Sequence, residues 1–139
     1  MANPFFVIFY VENPLASAVF YEKILGKPPV EAAPTFVIFA LENGVRLGLW
    51  SRPTVEPKAT APCGGSEIAF SLANVAGVDR THAAWAAAGA TIIQAPVELD
   101  FGHSFTAADP DGNRLRVFSP NAETQGIRDR IAQGAEGRR

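Results

Sequence analysis

Two kinds of hydrophobic pattern alternate along the chain. Residues 5–11, FFVIFYV, are an unbroken run of aromatic and β-branched residues, the composition of a buried strand. Asn13-Pro14 follows, a good helix-capping residue and then a proline where its missing N–H costs nothing. A helix is expected from there to about residue 25, with Ala16, Phe20 and Ile24 at spacing four on one face. Gly26 is its natural stop. A short edge strand at 28–32, a buried strand at 35–41, a hairpin turn at Glu42-Asn43-Gly44 and a returning strand at 45–50 complete the first half.

Residues 51–65 break the pattern with three prolines and two glycines, and read as a surface linker. Then the first pattern returns: a strand at 67–72, Asn74 as cap, a helix over 75–88 and Gly89 as stop. Strands at 90–97 and 104–108 follow, then a turn at Asp109-Pro110-Asp111-Gly112-Asn113 and a last strand at 114–118. This is an internal repeat. At an offset of 61, Phe9, Val11 and Asn13 match Phe70, Leu72 and Asn74; at 63, Gly26 matches Gly89; at 68, Gly44, Arg46 and Leu47 match Gly112, Arg114 and Leu115.

Each half therefore reads as strand, helix, strand, strand, strand. The class is α+β, with two βαβββ modules forming a cupped mixed sheet. One domain over 1–120 is expected, with modules 4–50 and 66–118 joined by the linker 51–65. Neither half can cover both faces of its sheet, so the modules must pair, within a chain or between two copies in a homodimer. Residues 121–139 form a polar tail. With Ile127 and Ile131 at helical spacing, it reads equally as a short, weakly packed helix or as a frayed end.

At 139 residues and 47% apolar, one packed core is within reach. The formal charge of −2 gives no basic face for nucleic acid and no polybasic anchor for a membrane surface. A single cysteine, Cys63, excludes an internal disulfide and suits a reducing compartment. Met1-Ala2-Asn3-Pro4 has no basic region ahead of the first apolar run, and that run is far short of a membrane span; a cytoplasmic location is expected.

The repeat, with Phe20-Tyr21-Glu22-Lys23-Ile24-Leu25-Gly26 closing the first helix and Asp109-Pro110-Asp111-Gly112-Asn113 before the last strand, resembles the vicinal-oxygen-chelate superfamily over residues 5–120. That group includes glyoxalase I, extradiol dioxygenases and bleomycin- and phenazine-resistance proteins. The stretches Val11-Glu12-Asn13, residues 34–39, Leu47-Gly48-Leu49-Trp50-Ser51 and Phe101-Gly102-His103-Ser104-Phe105 look closest to the phenazine-antibiotic resistance proteins.

The resemblance implies four metal-ligand places, one on the first and one on the last strand of each module: Phe6, Gly48, Glu67 and Arg116. Only Glu67 can ligate, and a guanidinium repels a cation, so no metal and no other cofactor are expected. Of the two histidines, His82 is expected at the surface or sheet contact of the second helix and His103 near the cup rim; Cys63 reads as an incidental thiol.

Strand alternation then assigns the cup. Phe6, Ile8 and Tyr10 point inward from the first strand; Arg46, Gly48 and Trp50 from the fourth; Glu67, Ala69 and Ser71 from the fifth; Arg114, Arg116 and Phe118 from the eighth. The loop before the seventh strand can add Asp100, Phe101 and His103, and one of Phe101 and Phe105 is expected inside. Glu67 and Arg116 should form an ion pair in place of the metal. Trp85 is expected in the core. The expected ligand-binding set is thus Trp50, Phe6, Tyr10, Arg46, Glu67, Phe101, His103, Phe105, Arg116 and Phe118, with no catalytic residue.

An aromatic cup with a few charges suits a flat aromatic ligand. The expected function is metal-free sequestration of a small planar aromatic compound, such as an antibiotic of the phenazine type. The alternative is a glyoxalase- or dioxygenase-type enzyme of the same fold, or an acid–base enzyme using Glu67 or His103.

Overall fold

The computed structural model describes residues 5–137. The expectations about residues 1–4, and about the chain beyond 137, fall outside that range. Strand β1 (Phe6–Val11), helix α1 (Pro14–Leu25) and strands β2 (Glu31–Ala33), β3 (Phe36–Ala40) and β4 (Arg46–Ser51) make the first module. Strand β5 (Glu67–Ser71), helix α2 (Val75–Ala87) and strands β6 (Thr91–Leu99), β7 (Gly102–Ala108) and β8 (Arg114–Pro120) make the second. Helix α3 (Ala122–Gly137) follows.

Each module is a four-stranded mixed sheet, in the orders β1-β4-β3-β2 and β5-β8-β7-β6. The repeat extends to the register. Phe6 lies beside Arg46 and Tyr10 beside Trp50, as Glu67 lies beside Arg114 and Ser71 beside Phe118. The helix caps also repeat: the Asn13 side chain accepts from the Ala16 amide and the Asn74 side chain from the Gly77 amide. Gly26 ends α1 at φ 75°, and Gly89 follows α2 at φ 91°.

One face of each sheet is buried under its helix. Phe9, Val11, Val37, Phe39, Leu47 and Leu49 pack with Tyr21 in the first module; Phe105, Ala107, Leu115 and Val117 pack with Val78 and Trp85 in the second. The expected face of α1 is corrected in part: Phe20 and Ile24 pack at the margin of the core, but they are not its centre. Pro14, Ser17, Ala18 and Tyr21 are its buried positions, while Ala16 is exposed and Phe20 and Ile24 are half-buried. Tyr21 sets the rotation, because its hydroxyl reaches across to Asp109 at 2.7 Å.

That bond belongs to a latch between the modules. Asp109 is 6% exposed and accepts from Tyr21 Oη, the Asn113 side chain, and the backbone amides of Asp111 and Asn113. Asp111 accepts from the Glu12 amide and the Ser17 hydroxyl. The Asp-Pro-Asp-Gly-Asn turn thus fastens the second module to the start of α1.

The linker is less loose than its composition predicts. A 3-10 turn spans Arg52–Thr54, Val55 is buried, and Arg52 donates to the Ala61 carbonyl. Helix α3 runs for 16 residues, longer than expected, with Ile127 and Ile131 exposed. Among the described residues no helix is long and apolar enough to cross a membrane.

Candidate functional site

The faces turned away from the helices form the candidate site. Residues in register share a face, so three rows cross the first sheet: Phe6, Arg46 and Ala40; Ile8, Gly48 and Ile38; Tyr10, Trp50 and Phe36. The second sheet repeats them: Glu67, Arg114 and Ala108; Ala69, Arg116 and Thr106; Ser71, Phe118 and Ser104. Row by row, Gly48 corresponds to Arg116, and Phe36 to Ser104.

The first face is aromatic. A series of edge-to-face contacts runs Phe5–Phe6–Phe36–Trp50–Tyr10, with centroid separations of 5.1, 6.3, 5.8 and 6.3 Å. Gly48 makes room for it: a Cβ there would stand 2.8 Å from Phe36 Cζ. The face stays accessible in the single chain, with Ile8 40% and Tyr10 38% exposed. Arg46 sits at its end, over the Phe5 ring.

The second face is polar. Arg116 donates from Nε and Nη2 to the two carboxylate oxygens of Glu67, at 3.0 and 3.2 Å, and from Nη1 to the Ser104 hydroxyl at 3.1 Å. The expected ion pair therefore forms, but on an accessible face rather than a buried floor: the side chains are 17% and 37% exposed. The Arg116 guanidinium also lies over the Phe101 ring, which meets Phe118 edge-on.

The β6–β7 hairpin that carries Phe101 is held at its tip. Asn121 donates from its backbone to the Phe101 carbonyl and from its side chain to that of Asp100. Gly102, at φ 147°, comes so close to β8 that a Cβ would run into the Ser119 carbonyl.

Two expected residues leave the cup. Phe105 is fully buried on the helix side, edge-on to His82 at 5.3 Å and Trp85 at 5.4 Å. His103 shares its parity, because β7 begins at Gly102 rather than Ser104, and so it turns toward α2. Its Nε2 lies 2.8 Å from Asp79 and its Nδ1 3.4 Å from Glu98. Above all the hydrogen bond to Asp79 raises its pKa over the ordinary value. The carboxylates sit on opposite ring nitrogens, so they strap β6 and β7 to α2 rather than converge on one point. Trp85 is in the core and His82 at the sheet contact, as expected.

Sequence reasoning missed Phe36, Ser104 and Thr106. Their places on the sides turned away from the helices follow from strand alternation once the rows are paired; Phe36 is half-buried there, whereas Ser104 and Thr106 are buried beneath the face. Cys63 lies 3.5 Å from Glu12, and burial together with that carboxylate pushes its thiol up to about 11, far from a nucleophile's range. A separate groove of about 810 Å³ lies between the modules on the helix side, lined by residues such as Leu25, Ile68, Phe70 and Trp85.

The model of the Glyoxalase/Bleomycin resistance protein/Dioxygenase superfamily matches residues 5–117. The chain belongs to that superfamily. It is 32% identical, over 118 residues, to the phenazine antibiotic resistance protein EhpR of Enterobacter agglomerans, covering 83% of this chain and 90% of that one. The solution structure of protein ATC0852 from Agrobacterium tumefaciens is 53% identical, with a TM-score of 0.78 over 88% of this chain and all of that one. A glyoxalase-related enzyme from Fulvimarina pelagi shares the fold at 21% identity and TM-score 0.73, over 86% of this chain and 88% of its own.

The resemblance implies a divalent metal at Phe6, Gly48, Glu67 and Arg116, and these residues do not fit one. The end of the Phe36 ring fills the space at Gly48, and both Glu67 oxygens accept from Arg116. Phe6 brings a hydrocarbon ring and Arg116 a fixed positive charge, so a single carboxylate is left where several hard donors are needed. Among the described residues, no group of three or more His, Cys, Asp or Glu side chains could hold a metal ion.

Proposed function

We propose that the protein binds a small planar aromatic compound, of the kind exemplified by phenazine antibiotics, and protects by holding it without turning it over. The observation that carries this reading is the ring series from Phe6 through Phe36 and Trp50 to Tyr10 on an accessible sheet face. Such a surface gains area and orientation from stacking. The likeness to EhpR supports the same reading.

The accessible apolar faces support a second copy as part of this reading. In a single chain they bear apolar side chains that remain accessible, including Ile8, Tyr10 and, beside them, Phe5 at 54% exposure. A homodimer in which the aromatic face of one copy meets the polar face of the other encloses two equivalent cups. Within them Trp50, Phe6 and Tyr10 contact the rings of the ligand, Phe101 and Phe118 close the far side, and Arg46, Glu67 and Arg116 meet its polar edge.

The test is titration of the protein with phenazine, read by tryptophan quenching, with Trp50→Ala as the comparison because Trp85 also emits. One stacked contact is worth on the order of 0.5–1.5 kcal/mol beyond area burial, so Trp50→Ala should bind several-fold more weakly. Recovery of the compound unchanged after long incubation is expected; a new product would favour an enzyme instead. Sedimentation as a monomer at micromolar concentration would refute the shared cups.

A further inference from the structure

We infer that Phe36, seated in the space left by Gly48, is a binding plate of the cup, and that Gly48 sets the depth available to the ligand's ring system. This rests on the reading of the cup as an aromatic-compound site, and adds two specificity-determining residues to it.

The repeat shows what this pair has replaced. In the second module, the side chain of Arg116 rises from the middle of β8 and bonds Ser104 on β7. At the matching places of the first module stand Gly48 and Phe36. With no side chain at 48, the far end of the Phe36 ring lies where the Cβ of any other residue would be: 2.8 Å from Cζ and 3.2 Å from Cε1, with Ile8 Cγ1 at 3.4 Å. Real Cβ atoms do not approach aromatic carbons so closely. The ring is thus admitted to the sheet surface by the absence of one carbon.

From this place Phe36 joins two strands' worth of aromatic surface. It meets Phe6 of β1 at 6.3 Å and Trp50 of β4 at 5.8 Å, and without it the ring series falls into two separate pairs. Phe36 is half-buried, so part of the ring remains on the open face. The polar counterpart, the part-exposed Arg116–Glu67 pair anchored from below by the buried Ser104, gives the opposite half a polar surface. A ligand spanning both is therefore a fused planar ring system with a polar substituent on one edge.

An added methyl at position 48 must push the Phe36 ring outward. In Gly48→Ala the plate rises into the cup and shortens it, whereas Phe36→Leu removes the ring but keeps apolar bulk. Phenazine affinity measured by titration should fall about three- to ten-fold in Phe36→Leu, the value of one lost ring contact, and at least as far in Gly48→Ala. The double variant should bind no more weakly than Phe36→Leu alone, because a leucine at 36 can bend away from the new methyl. Wild-type affinity in a folded Phe36→Leu protein, or additive losses in the double variant, would overturn the inference while leaving the aromatic cup intact. If Gly48→Ala does not fold, Phe36→Leu decides alone. No binding of phenazine by the unaltered protein would overturn the cup reading, and this inference with it.

Discussion

Replacing Tyr21 with Phe removes one hydroxyl from a place where water cannot follow. Tyr21 is fully buried, and its Oη donates to Asp109 Oδ2 at 2.7 Å. Burial, and then the neighbouring Asp109 charge, drive the phenol's pKa far above its ordinary value, so it is a donor at every usable pH. Without it, Oδ2 keeps the Asn113 amide at 3.0 Å, and Oδ1 keeps its two backbone amides at 2.9 Å. The carboxylate is therefore weakened, not stranded. A hydrogen bond to a charged group contributes about 1.5–3 kcal/mol, and that is the expected loss for Tyr21→Phe. Urea unfolding should show a lower midpoint with an unchanged slope, because the exposed surface is the same. A loss below about 0.5 kcal/mol would refute the idea that this latch holds the modules together. Asp109→Ala should cost more than Tyr21→Phe, since it leaves Tyr21 Oη, the Asn113 side chain and two turn amides without their acceptor.

The Glu67–Arg116 pair is part-exposed, so a stability cycle of Glu67→Gln and Arg116→Met should give a coupling of about 0.5–1 kcal/mol, shrinking with added salt. Full additivity would mean that the pair contributes nothing to folding. His103 is held by Asp79 and Glu98 in its protonated form, and its folded pKa is raised. The stabilisation is therefore complete below the ordinary histidine value of 6.5 and is lost as pH rises through the raised value. Melting temperatures should fall over that window in the wild type and stay flatter in His103→Gln; equal slopes would remove His103 from the strap.

The fold could be read from the sequence because the repeat is written in residues with backbone consequences: Asn13 and Asn74 as caps, Gly26 and Gly89 as stops, and a strand ahead of each cap. Strand alternation also separated Phe9 and Val11, which pack under α1, from Phe6 and Tyr10 on the open face. It failed where an element's start was misplaced by two residues. Beginning β7 at Ser104 left His103 in a loop, when its parity with the buried Phe105 turns both toward α2. The spacing-four series in α1 found Phe20 and Ile24, which pack at the margin of the core, but missed the central positions Ser17, Ala18 and Tyr21, because helix rotation was decided by a partner 88 residues away, Asp109, that no local pattern reveals. The metal-ligand positions identified Gly48 as a place without a side chain, but a gap in sequence does not say what fills it. Only the pairing of β3 with β4 places Phe36 there.

Strand β1 lies at the edge of its sheet, paired on one side by β4 alone. Its run from Phe5 to Val11 carries no charge and no proline, and four of its side chains are more than a third exposed. Edges of this kind recruit further strands and seed fibrous aggregates unless something covers them. In the proposed homodimer, solubility and assembly are thereby tied together: a substitution that parts the copies should be seen first as precipitation and only then as loss of the proposed binding. A single lysine in place of Val7, on the rim of this edge, is where a variant that stays clear in solution would be sought.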